Sequence, residues 1–479
     1  MRFELDTTVR RGDDGRLLVG GVPPRLVRLS EAGAAALDRV LGEAPPDRSA
    51  ATVADRLSAD GLLHPLPDDG VDDPPVTTVI PVRDGGDALG EMVRTLATEG
   101  PVIVVDDRSR DGSAERAAAA GAKVIANAGR PGPAGARNTG LRAAATGLVA
   151  FLDADCVVAP GWRAGLADLL AADPTLALVA PRVRGTPGDS ALARYERRAS
   201  PLDLGPSASR VGHGGRVAYL PAAALLARRD ALLAVGGFDE TMRFGEDVDL
   251  VWRLLAAGRS ARYVPSREVH HRPRPTLRAL AAQRAGYGGS AVPLAARHGA
   301  AVAPLQVGRH TAAVWLTAVL RPGATPLVLA GSAAIVASRG KDRESRIALA
   351  RLALDGHAEA TGHLARALLR EWLPISLALA LKSRHARRAL AVAAAIEAAR
   401  AGGAVVPRGV DHGAYAIGLW REALRQRSLS ALAPRTSASG PTPSMASKPQ
   451  SAIVRSSSAS TIRRTASTPP SPPRQRPQT

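Results

Sequence analysis

Phe151-Leu152-Asp153-Ala154-Asp155 places two carboxylates two residues apart, just past an apolar run. Such a pair can converge on one divalent cation. Mg²⁺ or Mn²⁺ suits oxygen ligands and commonly bridges to substrate phosphates, where it neutralises charge on a departing diphosphate. The same residues also suit a strand end followed by a capped turn. A second pair, Asp106-Asp107, follows Val102-Ile103-Val104-Val105; its carboxylates can accept hydrogen bonds from a base N–H or a ribose hydroxyl, or simply form a turn. A third cluster runs from Gly237-Phe238-Asp239-Glu240 to Gly245-Glu246-Asp247-Val248-Asp249. Acids at a helix start favour the helix dipole. One of them could instead act as general base toward an acceptor hydroxyl, and Asp247, with Glu246 beside it, is the choice. Gly135-Ala136-Arg137-Asn138 follows a Gly/Pro-rich stretch and reads as a helix N-terminus facing an anion, with Arg137 adding charge. In His270-His271, one imidazole, taken as His271, could complete a metal shell or touch a phosphate.

The elements that must hold these residues follow from the rhythm of residues 76–273, where β-branched runs alternate with helical patterns, as in a βαβ sheet. Strands are expected at Val76–Val82, Val102–Val105, Lys123–Ala126, Leu148–Leu152 and Leu176–Ala180. Helices are expected after Asp87 and Asp111, at Ala134–Ala145 and from near Pro160. Ligands in open α/β sheets collect at the carboxyl ends of strands. Pro81, Asp106, Asp107, Asp153 and Asp155 all fall at such ends.

The chain has 479 residues, of which 45% are hydrophobic but only 3% aromatic, so more than one structural unit is expected. Its 63 Lys and Arg against 44 Asp and Glu give a formal charge of +19. Residues 428–479 contribute +7 of that and hold no acid. A basic balance suits nucleoside diphosphates, a lipid surface or nucleic acid, and equally a solvated Arg-rich surface. One cysteine, Cys156, excludes an intramolecular disulfide. With no secretion signal pattern in the first residues, a cytoplasmic location is the expectation. The apolar runs at Ala312–Ala337 and Trp372–Leu381 fall short of a membrane span. They read as buried helices, or as re-entrant or surface-lying segments at the inner face of the membrane.

Five blocks in order resemble family 2 glycosyltransferases of the GT-A fold: Thr78–Val82, Val105–Gly112, Ala136–Gly140, Phe151–Asp155, and Gly236–Glu240 through Glu246–Leu250. The resemblance implies a Rossmann-like nucleotide-diphospho-sugar transferase domain at 76–273. Pro81, Arg83 and Asp107 would flank the nucleobase, with Asp106 beside them. Asp153 and Asp155 would bind ribose and metal-diphosphate, and Asp247 would be the base of an inverting transfer. The sequence departs from the pattern at Arg83-Asp84, where the first motif usually ends in Tyr-Asn. Leu18–Pro23, Ser200–Gly205 and Val217–Ala223 further resemble a narrower family, the glycosyltransferases of the mycofactocin system. That implies transfer of a hexose, glucose from UDP-glucose, to a peptide-derived redox cofactor or its precursor.

The flanks complete the expected organisation. In residues 1–66, a strand in Gly15–Gly21, a Ser30-capped helix Glu31–Leu41, a helix Thr52–Ala59 and Gly61-Leu62-Leu63 resemble small winged-helix-like modules that hold peptides by adding a strand to a sheet edge. A DNA-binding winged helix competes, but Asp55 and Asp60 on the second helix argue against a nucleic-acid partner. Residues 67–75 read as a linker, 274–427 as an α-helical region and 428–479 as a disordered tail. Two other functions stay open: transfer to a polyprenyl phosphate or cell-envelope glycan, and a non-catalytic peptide-binding scaffold.

Overall fold

The computed structural model describes residues 2–21, 24–42, 47–67 and 74–437. Most of the expected linker, Val22-Pro23 and the chain beyond Ser437 lie outside the described residues. The N-terminal module begins with β1 (Arg2–Leu5), β2 (Arg10–Arg11), β3 (Leu17–Gly20) and β4 (Arg25–Arg28), followed by α1 (Glu31–Leu41), α2 (Arg48–Ala59) and β5 (Leu63–Leu66). Strands β2, β3 and β4 form an antiparallel sheet, and β1 pairs antiparallel with β5 as a separate ribbon. Four strands therefore precede the helix pair, where one was expected. Ser30 caps α1 by accepting from the Gly33 amide at 3.1 Å. The second helix starts at Arg48, not Thr52, because Asp47 accepts from the Ala50 amide at 2.8 Å and satisfies the first turn earlier.

The central layer contains β6 (Val76–Val82), α3 (Ala88–Ala97), β7 (Val102–Asp106), α4 (Ser113–Ala119), β8 (Lys123–Ala126), α5 (Pro133–Ala143), β9 (Leu148–Leu152), β10 (Cys156–Val157) and α6 (Leu166–Ala172). It continues with β11 (Leu176–Gly185), α7 (Ala191–Ala199), β12 (Ser209–Arg210), β13 (Ala224–Arg228), α8 (Arg229–Ala234), α9 (Glu246–Ala256) and β14 (Ser260–His271). These strands make one mixed sheet in the order β10-β14-β11-β13-β9-β6-β7-β8, with β12 on β14. Strands β6, β7, β8 and β9 are mutually parallel, while β13 runs antiparallel between β9 and β11. The apolar runs form these strands because both faces are covered: Ile80, Val104, Leu152 and Leu226 pack on one side, and Val79, Val105, Phe151 and Leu225 on the other. Helix α5 lies so close to the sheet that a Cβ at Gly140 would sit 2.2 Å from Val79 Cγ1. The helix expected near Pro160 begins only at Leu166, after a run of turns. Leu176–Ala180 extends to Gly185 because its second half pairs with β14.

Beyond the sheet come α10 (Leu277–His298), β15 (Gln306–Gly308), α11 (Arg309–Leu320), α12 (Thr325–Ala337), α13 (Arg343–Leu369), α14 (Leu373–Lys382), α15 (Arg384–Ala401), α16 (Val405–Gln426) and β16 (Arg435–Ser437). Helices α10 and α16 cross at Gly288 and Gly418; a Cβ on either would meet a backbone oxygen of the other helix at 2.0 and 1.9 Å. The expected tail does not begin at Ser428. Ala431 and Leu432 are buried, the Trp372 indole donates to the Leu432 carbonyl at 2.8 Å, and β16 pairs with β15. Among the described residues no helix is long and apolar enough to cross a membrane.

The N-terminal module touches both other regions. Leu26 packs against Ala333, Val336, Leu349 and Ala353 of α12 and α13, and Arg28 pairs with Asp342. At its other end Asp6, fully buried, accepts from His64 at 2.9 Å and from Arg216, which also donates to Thr7 and the Ala208 carbonyl. The module is thereby latched to the segment leading into Tyr219–Ala222.

Candidate active site

The ends of β6, β7 and β9 and the start of α9 bring the sequence-predicted acids to one edge of the sheet. Asp153 follows β9, and its Oδ1 accepts from Arg137 Nη2 at 2.6 Å. The same guanidinium donates through Nη1 to Glu246 at 2.8 Å. Arg137 is 4% exposed, with its charge 5.5 Å from the centre of the Phe238 ring. Burial alone would weaken that cation, but Asp153 and Glu246 outweigh it and keep Arg137 charged. Arg137 was expected to face an anionic ligand from a helix N-terminus. It instead sits within α5 and holds two of the chain's own carboxylates in place.

Asp247 lies on the first turn of α9. Its Oδ1 accepts from the Val248 amide at 2.8 Å and its Oδ2 from the Ala222 amide at 3.3 Å. Burial pushes the Asp247 carboxyl up, against the pull of Arg137 and those amides. Burial, followed by the charge of Asp247, lifts Glu246 to about 7 despite Arg137. Two adjacent buried carboxylates cannot both ionise freely. The third acid of the cluster, Asp249, turns away and is bound by Arg253, Arg297 and His298.

Asp155 faces the end of β14. Its Oδ1 is 3.0 Å from His271 Nε2, and its Oδ2 accepts from Arg274 Nη2 at 2.9 Å. Burial works against ionisation here, yet His271 and Arg274 hold the carboxyl at about 2. Asp107 is 4% exposed and fully engaged, accepting from Asn127 at 2.7 Å and from the Gly132 amide at the start of α5 at 2.8 Å. Asp106 ends β7 and accepts from the Ser109 amide at 3.2 Å. Pro81 is half-buried in β6 and Arg83 is exposed just past its end. Asp84 and Arg108, flanking these strand ends, take left-handed φ values of 54° and 69°. That conformation costs energy in non-glycine residues and clusters at functional sites.

Residues 77–231 match the family model described as glycosyl transferase family 2. The chain is 38% identical over 460 residues to the pre-mycofactocin glycosyltransferase of Mycobacterium tuberculosis, covering 90% of this chain and 97% of that protein. The chain is a family 2 glycosyltransferase. Shorter stretches are similar to other glycosyltransferases. One is the N-acetylglucosaminyl-diphospho-decaprenol L-rhamnosyltransferase of the same organism, at 47% identity over 15% of this chain and 24% of that protein. Among solved structures, the mannosyltransferase from Pyrobaculum calidifontis in complex with GDP-Man and Mn²⁺ has 21% identity and a TM-score of 0.37, covering 73% of this chain and 91% of that one.

For a divalent ion the transferase offers a partial set of ligands. Among the described residues no three of His, Cys, Asp and Glu converge to hold a metal by themselves. The expected trio splits because Asp153 is drawn to Arg137, leaving Asp155 with His271. That pair supplies one carboxylate oxygen and one imidazole nitrogen that would hold such an ion. Such ions are commonly held by one or two protein groups plus substrate phosphates.

Several residues of the transferase's site carried no sequence signal. Arg274 lies three positions past His271, in a stretch rich in arginine throughout. Glu196 accepts from the Arg274 amide and pairs with Arg284 at 3.5 Å; Arg284 is in turn bound by Asp411 of α16 at 2.8 Å. Tyr287 of α10 stands edge-on to Phe244, with ring centres 5.7 Å apart. Burial pushes its phenol up, and the charges of Asp247 and Asp153 add to the shift. Asn138 was visible in the Ala136–Gly140 block, but its role was not. Its side chain brackets both backbone groups of Phe238, at 2.9 and 2.8 Å. A Cβ at Gly237, where φ is +70°, would meet Asn138 Oδ1 at 2.4 Å, so glycine is required there.

Proposed function

We propose that the enzyme transfers a hexose, glucose from UDP-glucose, to a peptide-derived redox cofactor precursor of the mycofactocin type, with inversion at the anomeric carbon. The observation that carries the acceptor class is the 38% identity that spans 97% of the pre-mycofactocin glycosyltransferase, flanking regions included. UDP lies along the carboxyl ends of β6, β7 and β9. Pro81, Arg83 and Asp107 flank the nucleobase with Asp106 beside them, Asp107 also fixing the adjoining loop, and Asp153 takes the ribose. Asp155 and His271 would hold Mn²⁺ or Mg²⁺, which would supply positive charge to offset that of the leaving diphosphate. Asp247 removes the proton from the acceptor hydroxyl. The oxygen then bonds to the anomeric carbon as the bond from that carbon to the phosphate oxygen breaks, and its electron pair leaves with UDP. Glu246 raises the basicity of Asp247, while Arg137 keeps both close to Asp153.

The winged-helix-like N-terminal module holds the peptide portion of the acceptor. The latch from Asp6 to Arg216 and from Thr7 to Ser207 supports this, because it ties the module to the segment whose Ala222 amide contacts Asp247. UDP-glucose turnover by the purified full chain tests the donor and metal assignments. Turnover should require Mn²⁺ or Mg²⁺ and disappear in Asp155→Ala; metal-independent turnover, or full activity in that variant, refutes them. Mass spectrometry of the acceptor pool, from cells with and without the protein, tests the acceptor: hexose-sized mass increments should vanish with the protein.

A further inference from the structure

Helix α14, Leu-Pro-Ile-Ser-Leu-Ala-Leu-Ala-Leu-Lys, is apolar around its whole circumference, yet only Ser376 on it is buried. Helices of that composition belong in a core or in lipid. Leu377, Leu379 and Leu381 all face outward, Leu381 at 84% exposure. The surface continues onto α11, since His385 Nδ1 lies 3.1 Å from the Val319 carbonyl and brings Leu320 and Arg321 beside the α14–α15 turn. Leu327 on α12 is 77% exposed.

The two segments that carry this surface hold charges of one sign, while the acids Glu344, Asp355 and Glu359 lie on the neighbouring α13. Residues 309–341 contain no Asp or Glu but carry Arg309, Arg321, Arg339 and Lys341. Residues 372–396 likewise contain no acid and carry Lys382, Arg384, Arg387 and Arg388. A second copy of the chain would have to bring the same cations face to face, so self-association is opposed by like charge. An anionic bilayer surface answers both features: its headgroups pair with the cations, and its acyl boundary receives the leucines. With ten residues, α14 is about 15 Å long, half the thickness of a hydrocarbon core of about 30 Å. It can lie in the interface but cannot cross it.

We propose that the α11–α14 face docks the enzyme peripherally on an anionic phospholipid surface, with α14 embedded at the headgroup boundary. The test is co-sedimentation of the purified full chain with vesicles of phosphatidylcholine alone or of phosphatidylcholine and phosphatidylglycerol at seven to three. Partition should be at least about tenfold higher on the anionic vesicles and should fall steeply with added salt. Leu377→Asp/Leu381→Asp and, separately, Arg384→Glu/Arg388→Glu should each lower it about tenfold without changing turnover of UDP-glucose in solution. Equal partition to both vesicle types, no binding to either, or binding untouched by both double variants overturns the proposal. So does a concentration-dependent dimer that Leu377→Asp/Leu381→Asp abolishes, because the face would then be covered by a second copy.

Discussion

The sheet at Val76–His271 and the helices at Arg309–Ala401 use the same apolar residues in opposite ways. In the sheet, Leu152 and Leu226 are fully buried, and buried charges such as Arg137, Glu246 and Asp107 each have a specific partner. In the helices, Leu327 and Leu381 face outward on segments whose charged residues are all basic. One region excludes water to tune carboxylates; the other turns its apolar surface toward the environment. Buried paired charges occur in both regions, Glu397 with Arg408 among the helices as well as Arg137 with Glu246 in the sheet, so what separates the regions is where their leucines point.

Perturbing the pairing at Arg137 should have the largest effect on stability. Arg137→Met leaves Asp153 and Glu246 without their shared cation, which should cost about 3–5 kcal/mol; a denaturant titration measures it, and a loss below about 1 kcal/mol would mean that the pairing adds little. Leu226→Ala, in the sheet core, should cost about 2–5 kcal/mol by the same measurement. Glu246→Gln tests the coupling of the two acids. The base must be ionised, and burial pushes the Asp247 carboxyl up, so in the wild type the rising limb of kcat/KM should lie above the ordinary aspartate range. Removing the neighbouring charge lets Asp247 ionise more readily, so the rising limb should move to lower pH; an unmoved limb would uncouple the two groups. Leu381→Ser on the exposed face should change stability by no more than about 0.5 kcal/mol; a core-sized loss would show that α14 is covered and the contrast false.

How much was legible beforehand follows the same division. Strands ending in Asp106 and Asp153 were readable because buried parallel strands are continuous apolar runs, and the acids mark where burial stops. The Glu246-Asp247 cluster was visible at its helix start. The sequence did not show that Arg137 would turn inward to two acids, or that Asp153 would thereby leave Asp155 with only His271. Those outcomes depend on packing between α5, β9 and α9, which are more than a hundred residues apart at the extremes. Arg274, Glu196, Arg284 and Tyr287 were invisible for a related reason. They come from arginine- and alanine-rich segments with no local pattern, and only the crossing of α10 with α16 and α7 assembles them. The Ser430–Ser437 segment was missed because two apolar residues in a Ser/Pro-rich stretch gain a burial site only from α10, α16 and Trp372, which lie earlier in the chain.

The central claim is that Asp247 is the base at a site built to bind the donor independently of it. The most direct test measures steady-state transfer with UDP-glucose and a pre-mycofactocin acceptor in the wild type and in Asp247→Asn. The isosteric amide keeps the shape of the side chain and removes the base. The account predicts that kcat falls about 10²–10⁴-fold while the dissociation constant for UDP stays within about twofold. Retention of wild-type kcat, or loss of UDP binding in step with kcat, would contradict it.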